Sequence, residues 1–99
     1  MRFNSILVAN RGEIACRIMQ TAQFMGIKCV AVFVDVDKDA PFVKMADEAI
    51  KLSSSYMDGS AIIDAAIQSG AEAIHPGYGF LSENAAFARK VKSNKLIWI

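Results

Sequence analysis

Residues 5–15 read SILVANRGEIA, and within this stretch a strand pattern changes to a helix pattern. Residues 5–9 are apolar on both faces, which is typical of a strand that helices cover on both sides of its sheet. Asn10 is a favourable N-cap, and Glu13 follows three residues later as in a capping box, so we predict a first helix over residues 11–25. A buried strand that leads directly into a helix is the repeating unit of an α/β fold.

The alternation of strand and helix continues along the chain. Four further strands are predicted at about residues 28–34, 49–52, 72–75 and 96–99. Three further helices are predicted at about residues 40–47, 61–69 and 82–92, the first two with Asp39 and Ser60 as N-caps. This pattern predicts a three-layer, doubly wound (Rossmann-like) α/β fold with a parallel sheet of about five strands and four helices. Right-handed crossovers favour the strand order 3-2-1-4-5, in which the loops after the first and fourth strands meet in one crevice.

Composition limits the kind of protein this can be. Residues 1–99 form one predicted domain, of which 54% is hydrophobic and 21% is charged, so a disordered chain is excluded. A net charge of +1 does not favour nucleic acid, and the longest apolar runs are too short to cross a membrane. No signal or transit peptide is apparent, so a cytoplasmic location is expected. Cys16 and Cys29 fit no metal or disulfide spacing, which favours reduced thiols, and no metal site is predicted.

The loops after the first two strands each allow two interpretations. The helix start after residue 10 offers free N–H groups to an anion, but the chain has neither GxGxxG nor GxxxxGK[ST], so a simple capped helix is preferred. Asp35 and Asp37 follow the second strand, where a dinucleotide-binding fold often has a ribose-binding acid. Without the glycine fingerprint, a solvated turn is the preferred interpretation of these two aspartates.

The loop after the fourth strand is the most unusual segment. Residues 75–84 read HPGYGFLSEN, and an aromatic residue follows each of its glycines, Gly77 and Gly79. Glycine permits backbone conformations that other residues avoid, so the rings either form a platform for a planar ligand or plug the top of the core. His75 is the only histidine and is expected to pack or hydrogen-bond, because no serine, cysteine or carboxylate completes a triad with it. No catalytic residue is predicted.

The first helix has two predicted faces. Its apolar residues share one side, namely Ile14, Ile18, Ala22 and Met25. The opposite side carries Arg17 and Phe24. An aromatic residue beside an arginine is typical of an interface anchor, while a single exposed apolar side chain is also common, so both interpretations stay open.

Three segments stand out together: VANRGEIA at residues 8–15, MADEA at residues 45–49, and AIHPGYGFLSEN at residues 73–84. In this order and at this spacing, they resemble the N-terminal domain of biotin carboxylase. That family's domain is the first, pre-ATP-grasp domain of the ATP-grasp component of biotin-dependent carboxylases. The resemblance covers essentially the whole chain.

The resemblance implies a longer ligase that uses ATP, Mg²⁺ and bicarbonate to carboxylate protein-linked biotin. These 99 residues would then be a fragment that binds no cofactor alone, because the family's ATP, magnesium and carboxylation residues lie downstream. The implied partners are the remaining ATP-grasp domains, the biotin carboxyl carrier and carboxyltransferase components, and a second copy in a homodimer. The alternative is a stand-alone Rossmann-like module that binds a nucleotide or regulates another protein.

The resemblance also implies roles for individual residues. The carboxylation site is bordered by a loop of four residues, with the tyrosine beside the biotin ring: Gly77, Tyr78, Gly79 and Phe80. Support of that loop is implied for His75, Glu83, Asn84, Arg11 and Glu13. Arg17 matches a residue of the family's dimer interface, to which Phe24 is added on its exposure alone.

The sequence departs from the family at two places. Typical members have a basic residue where Gln20 stands and often an acidic one where Gln23 stands. The segment of residues 53–60 is about five residues shorter than the family's loop before the third helix. Both departures concern surfaces or loops rather than predicted strands.

Overall fold

A computed structural model describes residues 3–99, which form one five-stranded parallel sheet. The strands are β1 (Ser5–Val8), β2 (Lys28–Phe33), β3 (Glu48–Lys51), β4 (Ala73–His75) and β5 (Ile97–Trp98). Their spatial order is β3-β2-β1-β4-β5, so the predicted order and the predicted α/β class are confirmed. β1 lies at the centre, where Ile6–Val8 pair with β2 on one side and β4 on the other.

Four helices connect these strands: α1 (Gly12–Phe24), α2 (Pro41–Met45), α3 (Gly59–Ser69) and α4 (Ala85–Ser93). A single 3-10 turn, Asp35–Asp37, follows β2. Right-handed crossovers put α1 and α2 on one face of the sheet and α3 and α4 on the other. The side chains of Leu7, Val30 and Ile74 are fully buried between these layers. Burial on both faces explains why the central strands are apolar throughout.

The buried face of α1 differs from the predicted one. Ala15, Met19 and Ala22 pack into the core, whereas Ile14 and Ile18 are half-buried and Met25 is 50% exposed. On this side of the sheet, no helix among residues 3–99 covers β4 and β5. The apolar flank of α1 therefore borders an open groove of about 610 Å³, together with the Tyr78 and Ile99 side chains.

All three predicted N-caps are wrong, those of α2 and α3 by one or two residues. The N-cap of α2 is Ala40, one residue after Asp39, and its methyl side chain has no acceptor for a cap bond, while Pro41 supplies a preformed φ at the start of the helix. The N-cap of α3 is Asp58, two residues before Ser60, and its carboxylate accepts the Ala61 N–H at 3.1 Å.

The edge strands are short or charged. β5 has two residues, and the ring of Trp98 packs edge-to-face on Phe87 of α4, with centroids 5.5 Å apart. β3 alternates exposed and half-buried residues, and Lys28 of β2 forms an ion pair with Glu48 at 3.1 Å. Short and charged edges discourage pairing with another sheet. Within residues 3–99, the helices are all too short or too polar to cross a bilayer.

Candidate functional site

The turns after β1 and β4 meet at one edge of the sheet, as predicted. Val8 and His75 are register partners, and the Ala9 N–H donates to the His75 carbonyl at 2.9 Å. The carboxyl ends of adjacent parallel strands point the same way, so the segments that leave them share one crevice. This brings residues from positions 10 and 75 onward into direct contact.

Asn10 joins these two turns through its side chain. Its Nδ2 donates to the carbonyl oxygens of Pro76 at 2.8 Å and Tyr78 at 2.6 Å. Its Oδ1 accepts the N–H of Arg11 at 2.8 Å, and the residue is only 1% exposed. The predicted capping role of Asn10 is therefore wrong. The N-cap of α1 is Arg11, without a side-chain bond, and the Asn10 Oδ1 accepts the Arg11 N–H rather than an N–H of the first helical turn.

The loop of residues 77–80 has a backbone that two glycines make possible. Gly77 and Gly79 have φ values of +65° and +70°, and Phe80 has +48° without being glycine. A Cβ on Gly77 would lie 2.8 Å from the Asn10 Nδ2, whereas a Cβ on Gly79 would meet nothing within 4 Å. Gly77 is thus required both for its conformation and for the close approach of the Asn10 amide.

The two rings of this loop point to different surroundings. Tyr78 is 78% exposed and lines the groove beside α1, with Arg17 and Ile14. Phe80 packs edge-to-face on Tyr56, with centroids 5.6 Å apart. Each interpretation of the loop therefore applies to one of its rings. Phe80 packs on the protein, and Tyr78 is free to meet a ligand.

His75 holds the start of the loop. Its Nδ1 accepts the N–H of Gly77 at 3.1 Å. Burial lowers the pKa of His75 below its ordinary value of 6.5. The imidazole is thus neutral at pH 7, which leaves Nδ1 able to accept this bond.

An ion pair between a half-exposed guanidinium and a buried carboxylate lies at the same edge of the sheet. Arg11 donates from Nε and Nη2 to the two carboxylate oxygens of Asp37, at 2.8 and 2.7 Å. The hydroxyl of Tyr56 donates to Asp37 Oδ2 at 2.6 Å. Hydrogen bonds from Arg11 and Tyr56 lower the pKa of Asp37 from 3.8 to about 2, and burial with the Asp37 bond raises the pKa of Tyr56 to about 12. Asp37 is 7% exposed, so its interpretation as part of a solvated turn is wrong.

The remaining candidate residues make no side-chain hydrogen bond to the loop of residues 77–80. Asn84 is the N-cap of α4, and its Oδ1 accepts the Phe87 N–H at 2.9 Å. Glu13 and Glu83 are exposed and make no hydrogen bond or ion pair with residues 3–99. Phe24 is 93% exposed on α1, away from the loop's hydrogen bonds.

Gln23 and the two cysteines belong to the structure of the domain. Gln23 Nε2 donates to the Met45 carbonyl at 2.9 Å and so ties α1 to the end of α2. Gln23 is one of the two α1 positions at which this sequence departs from typical members of the family. The bond to Met45 gives a local reason for an amide side chain there. Both cysteines are free thiols, and burial raises the pKa of Cys29 to about 11.

Sequence reasoning missed the contributions of Asn10, Asp37 and Tyr56 to this site. Asn10 was identified, but as a cap, because a capping asparagine and a distant clamp look the same in sequence. Tyr56 carried no signal, since it stands 19 residues from Asp37 in an unpatterned loop. Only the preference of buried tyrosine hydroxyls and carboxylates for partners could have suggested the pair.

A family model described as the N-terminal domain of biotin carboxylase matches residues 2–99. The mitochondrial methylcrotonoyl-CoA carboxylase subunit alpha of Glycine max is 55% identical over 103 residues, covering 99% of this chain. The mitochondrial propionyl-CoA carboxylase alpha chain of Homo sapiens is 51% identical over 102 residues, covering 98%. The chain spans 14% of the length of each. The first alignment is longer than the 99 residues, so that relative has positions without a counterpart here, in agreement with the predicted short loop.

Two solved structures have the same fold. Biotin carboxylase from Campylobacter jejuni, in a complex with β-γ-ATP, is 44% identical with a TM-score of 0.95, over 98% of this chain and 23% of its own. The biotin carboxylase domain dimer of Hydrogenobacter thermophilus 2-oxoglutarate carboxylase is also 44% identical with a TM-score of 0.95, over 99% and 22%. Sequence and fold agree over nearly every residue, and the chain accordingly belongs to the biotin carboxylase N-terminal domain family.

Proposed function

We propose that this chain is the N-terminal domain of a longer biotin-dependent carboxylase, in which it forms one wall of the biotin carboxylation site. Family membership and a span of 14% of the named relatives support a domain of a larger ligase. The reaction is the ATP- and bicarbonate-dependent carboxylation of biotin carried on a protein. The wall is the loop of residues 77–80, and the groups that act on ATP and bicarbonate come from the rest of the protein.

The observation that carries this proposal is the contrast between the fixed backbone and the exposed ring of Tyr78. The Tyr78 carbonyl is held by Asn10 at 2.6 Å, while the side chain is 78% exposed. A ring on a fixed backbone can meet a flat ligand with little loss of conformational entropy, since the loop is ordered before binding. His75 accepts the Gly77 N–H at the start of the loop, Asn84 caps α4 just beyond its end, and Arg11 reaches it only through Asp37 and the Tyr56 ring on Phe80.

Biotin fits this edge of the sheet better than ATP or Mg²⁺ does. The space around Gly79 is open, and Tyr78 offers an apolar face with a polar hydroxyl. Bound biotin would supply the ureido nitrogen that takes up the carboxyl group. Residues 3–99 contain no group of three His, Cys, Asp or Glu side chains that could hold a metal ion. We assign the nucleotide and its metal to the remaining ATP-grasp domains, as membership of the biotin carboxylase family implies.

The proposed partners are those remaining domains, the biotin carboxyl carrier, the carboxyltransferase component and a second copy of the chain. Arg17 and Phe24 are both exposed on α1, as an interface requires. A cytoplasmic location stays a prediction, because the named plant and human relatives are mitochondrial. No observation favours the alternative of a stand-alone nucleotide-binding module.

The test is Tyr78→Ala in the full-length protein that contains this chain. Biotin carboxylation should fall by roughly tenfold to a hundredfold, the range that lost positioning of a substrate costs. Bicarbonate-dependent ATP hydrolysis without biotin should change little, because the ring does not contact the nucleotide in this proposal. Both rates are measured on the same preparation.

The matched control is Ile67→Ala, which removes an exposed apolar side chain from α3, on the face of the sheet opposite the groove. It should leave the ratio of the two rates unchanged. Equal losses of carboxylation and ATP hydrolysis in Tyr78→Ala would contradict the proposed wall and leave the ring a structural role only.

A further inference from the structure

Phe80 needs support that Asn10 does not give. The Asn10 amide reaches the loop only as far as the Tyr78 carbonyl. Two residues later, Phe80 has φ +48°, a conformation that a residue with a Cβ seldom adopts without surrounding contacts. The contact present there is the edge-to-face packing of its ring on Tyr56. The far half of the loop thus depends on where the Tyr56 ring stands.

Tyr56 lies in the short loop between β3 and α3, outside regular secondary structure. Its hydroxyl fixes it, since it donates to Asp37 at 2.6 Å and accepts the Val34 N–H at 3.3 Å. Asp37 is fixed in turn by the two bonds from Arg11. Tyr56 and Asp37 are each 7% exposed, so water competes weakly for these bonds.

These contacts form one connected series across the carboxyl edge of the sheet. Arg11 follows β1, Asp37 follows β2, Tyr56 follows β3 and Phe80 follows β4. We propose that Asp37 and Tyr56 are positioning residues, which hold Phe80 and thereby orient the Tyr78 ring at the groove. The consequence for biotin rests on the proposed function, whereas the orientation of the loop does not.

The experiment compares Tyr56→Leu, Tyr56→Phe and Asp37→Asn in the full-length protein by amide hydrogen exchange. The reporter is the Ser82 N–H, which donates a hydrogen bond to the Gly79 carbonyl at 2.9 Å. This bond breaks when the loop opens, and the amide then exchanges with solvent. The reference is β2, whose central amides exchange through global opening. Tyr56→Leu should raise the Ser82 rate above that of the unchanged protein by about two- to tenfold, the worth of an aromatic edge-to-face contact. Tyr56→Phe keeps the ring but loses the hydroxyl bond to Asp37, so its Ser82 rate should lie between those of the unchanged protein and Tyr56→Leu.

The matched control is Phe42→Leu, which alters an equally buried ring in α2 that makes none of these contacts. It should speed exchange of the β2 amides, which report global opening, and leave the Ser82 rate nearly unchanged, because Ser82 exchanges through opening of the loop alone. A Ser82 rate in Tyr56→Leu no higher than in Phe42→Leu would overturn the proposal. If Tyr56→Leu does not fold, Asp37→Asn gives the same test, with a Ser82 rate above that in Phe42→Leu expected.

Activity separates this inference from the proposed function. A loosened loop should raise the KM for free biotin and lower biotin carboxylation more than ATP hydrolysis, and Tyr56→Phe should restore both in part. A raised Ser82 exchange rate with unchanged KM would support the positioning role and contradict the proposed biotin wall. An unchanged Ser82 rate would contradict the positioning role alone.

Discussion

Gly77 and Gly79 share a left-handed backbone but differ in their surroundings. Alanine at either position is strained, which costs about 1–2 kcal/mol. At Gly77 the added Cβ also meets the Asn10 Nδ2 at 2.8 Å and Ile14 Cγ2 at 3.0 Å, and such overpacking adds about 1–3 kcal/mol. Gly77→Ala should therefore destabilise the protein more than Gly79→Ala, as measured by urea unfolding. Equal losses would mean that Asn10 moves aside freely.

His75 should make stability depend on pH near neutrality. Its pKa in the folded protein is below the ordinary 6.5, so the folded state favours the neutral imidazole. The stabilisation is complete above about pH 6.5 and declines as the pH falls through the folded pKa. Urea unfolding at a series of pH values between 7.5 and 5, set by the histidine range, should report this decline.

His75→Asn is the control for this pH dependence. Asparagine offers an Oδ1 that can accept an N–H two residues on, as in an Asx turn, but it does not titrate. Because His75 is the only histidine, the decline between neutrality and pH 5 should be reduced in this variant. An unchanged decline would show that the imidazole does not control the turn.

The first helix carries the exposed residues of the proposed interface with a second copy of the chain. Phe24 is 93% exposed, and a related domain from Hydrogenobacter thermophilus is described as a dimer. Phe24→Ala should weaken self-association by about fivefold or more, since aromatic anchors commonly carry over 1 kcal/mol of binding energy. Sedimentation velocity of the full-length protein measures this. Met57→Ala, 55% exposed between β3 and α3, is the control that should leave the dimer unchanged.

Acid should weaken the contacts that the loops make at the carboxyl edge of the sheet. The lowered pKa of Asp37 means that its stabilisation is present above about pH 3.8 and is lost as the pH falls towards 2. Asp37→Asn should cost about 1–3 kcal/mol at pH 7, less than a fully buried pair, because Arg11 is half exposed. It should also reduce the acid sensitivity between pH 4 and 2, as measured by acid unfolding.

The control is Asp35→Asn, two residues away. Asp35 pairs with Lys51 at 3.2 Å, but both side chains are more than half exposed. Exposed pairs contribute little, so the change should stay within about 0.5 kcal/mol. A similar loss in both variants would mean that the Arg11 contact has no special weight.

At the scale of the whole molecule, sequence alone predicts the framework better than the site. Strand order follows from the alternation of apolar strands with helices, because that pattern depends on burial of whole segments. The contacts of Asn10 and Asp37 could not be predicted, because their partners lie 66, 68 and 26 residues away. Such pairings depend on how loops meet at the sheet edge, and local capping rules carry no information about that.

Trp98 gives the protein an optical reporter of its own. It is the only tryptophan, and its indole packs edge-to-face on Phe87 where β5 meets α4. Its fluorescence therefore reports on the unfolding of β5. The emission of the two tyrosines, Tyr56 and Tyr78, reports on the loops at the carboxyl edge of the sheet. Recording both emissions during one unfolding experiment would show whether β5 and the loops at the carboxyl edge unfold together or in sequence.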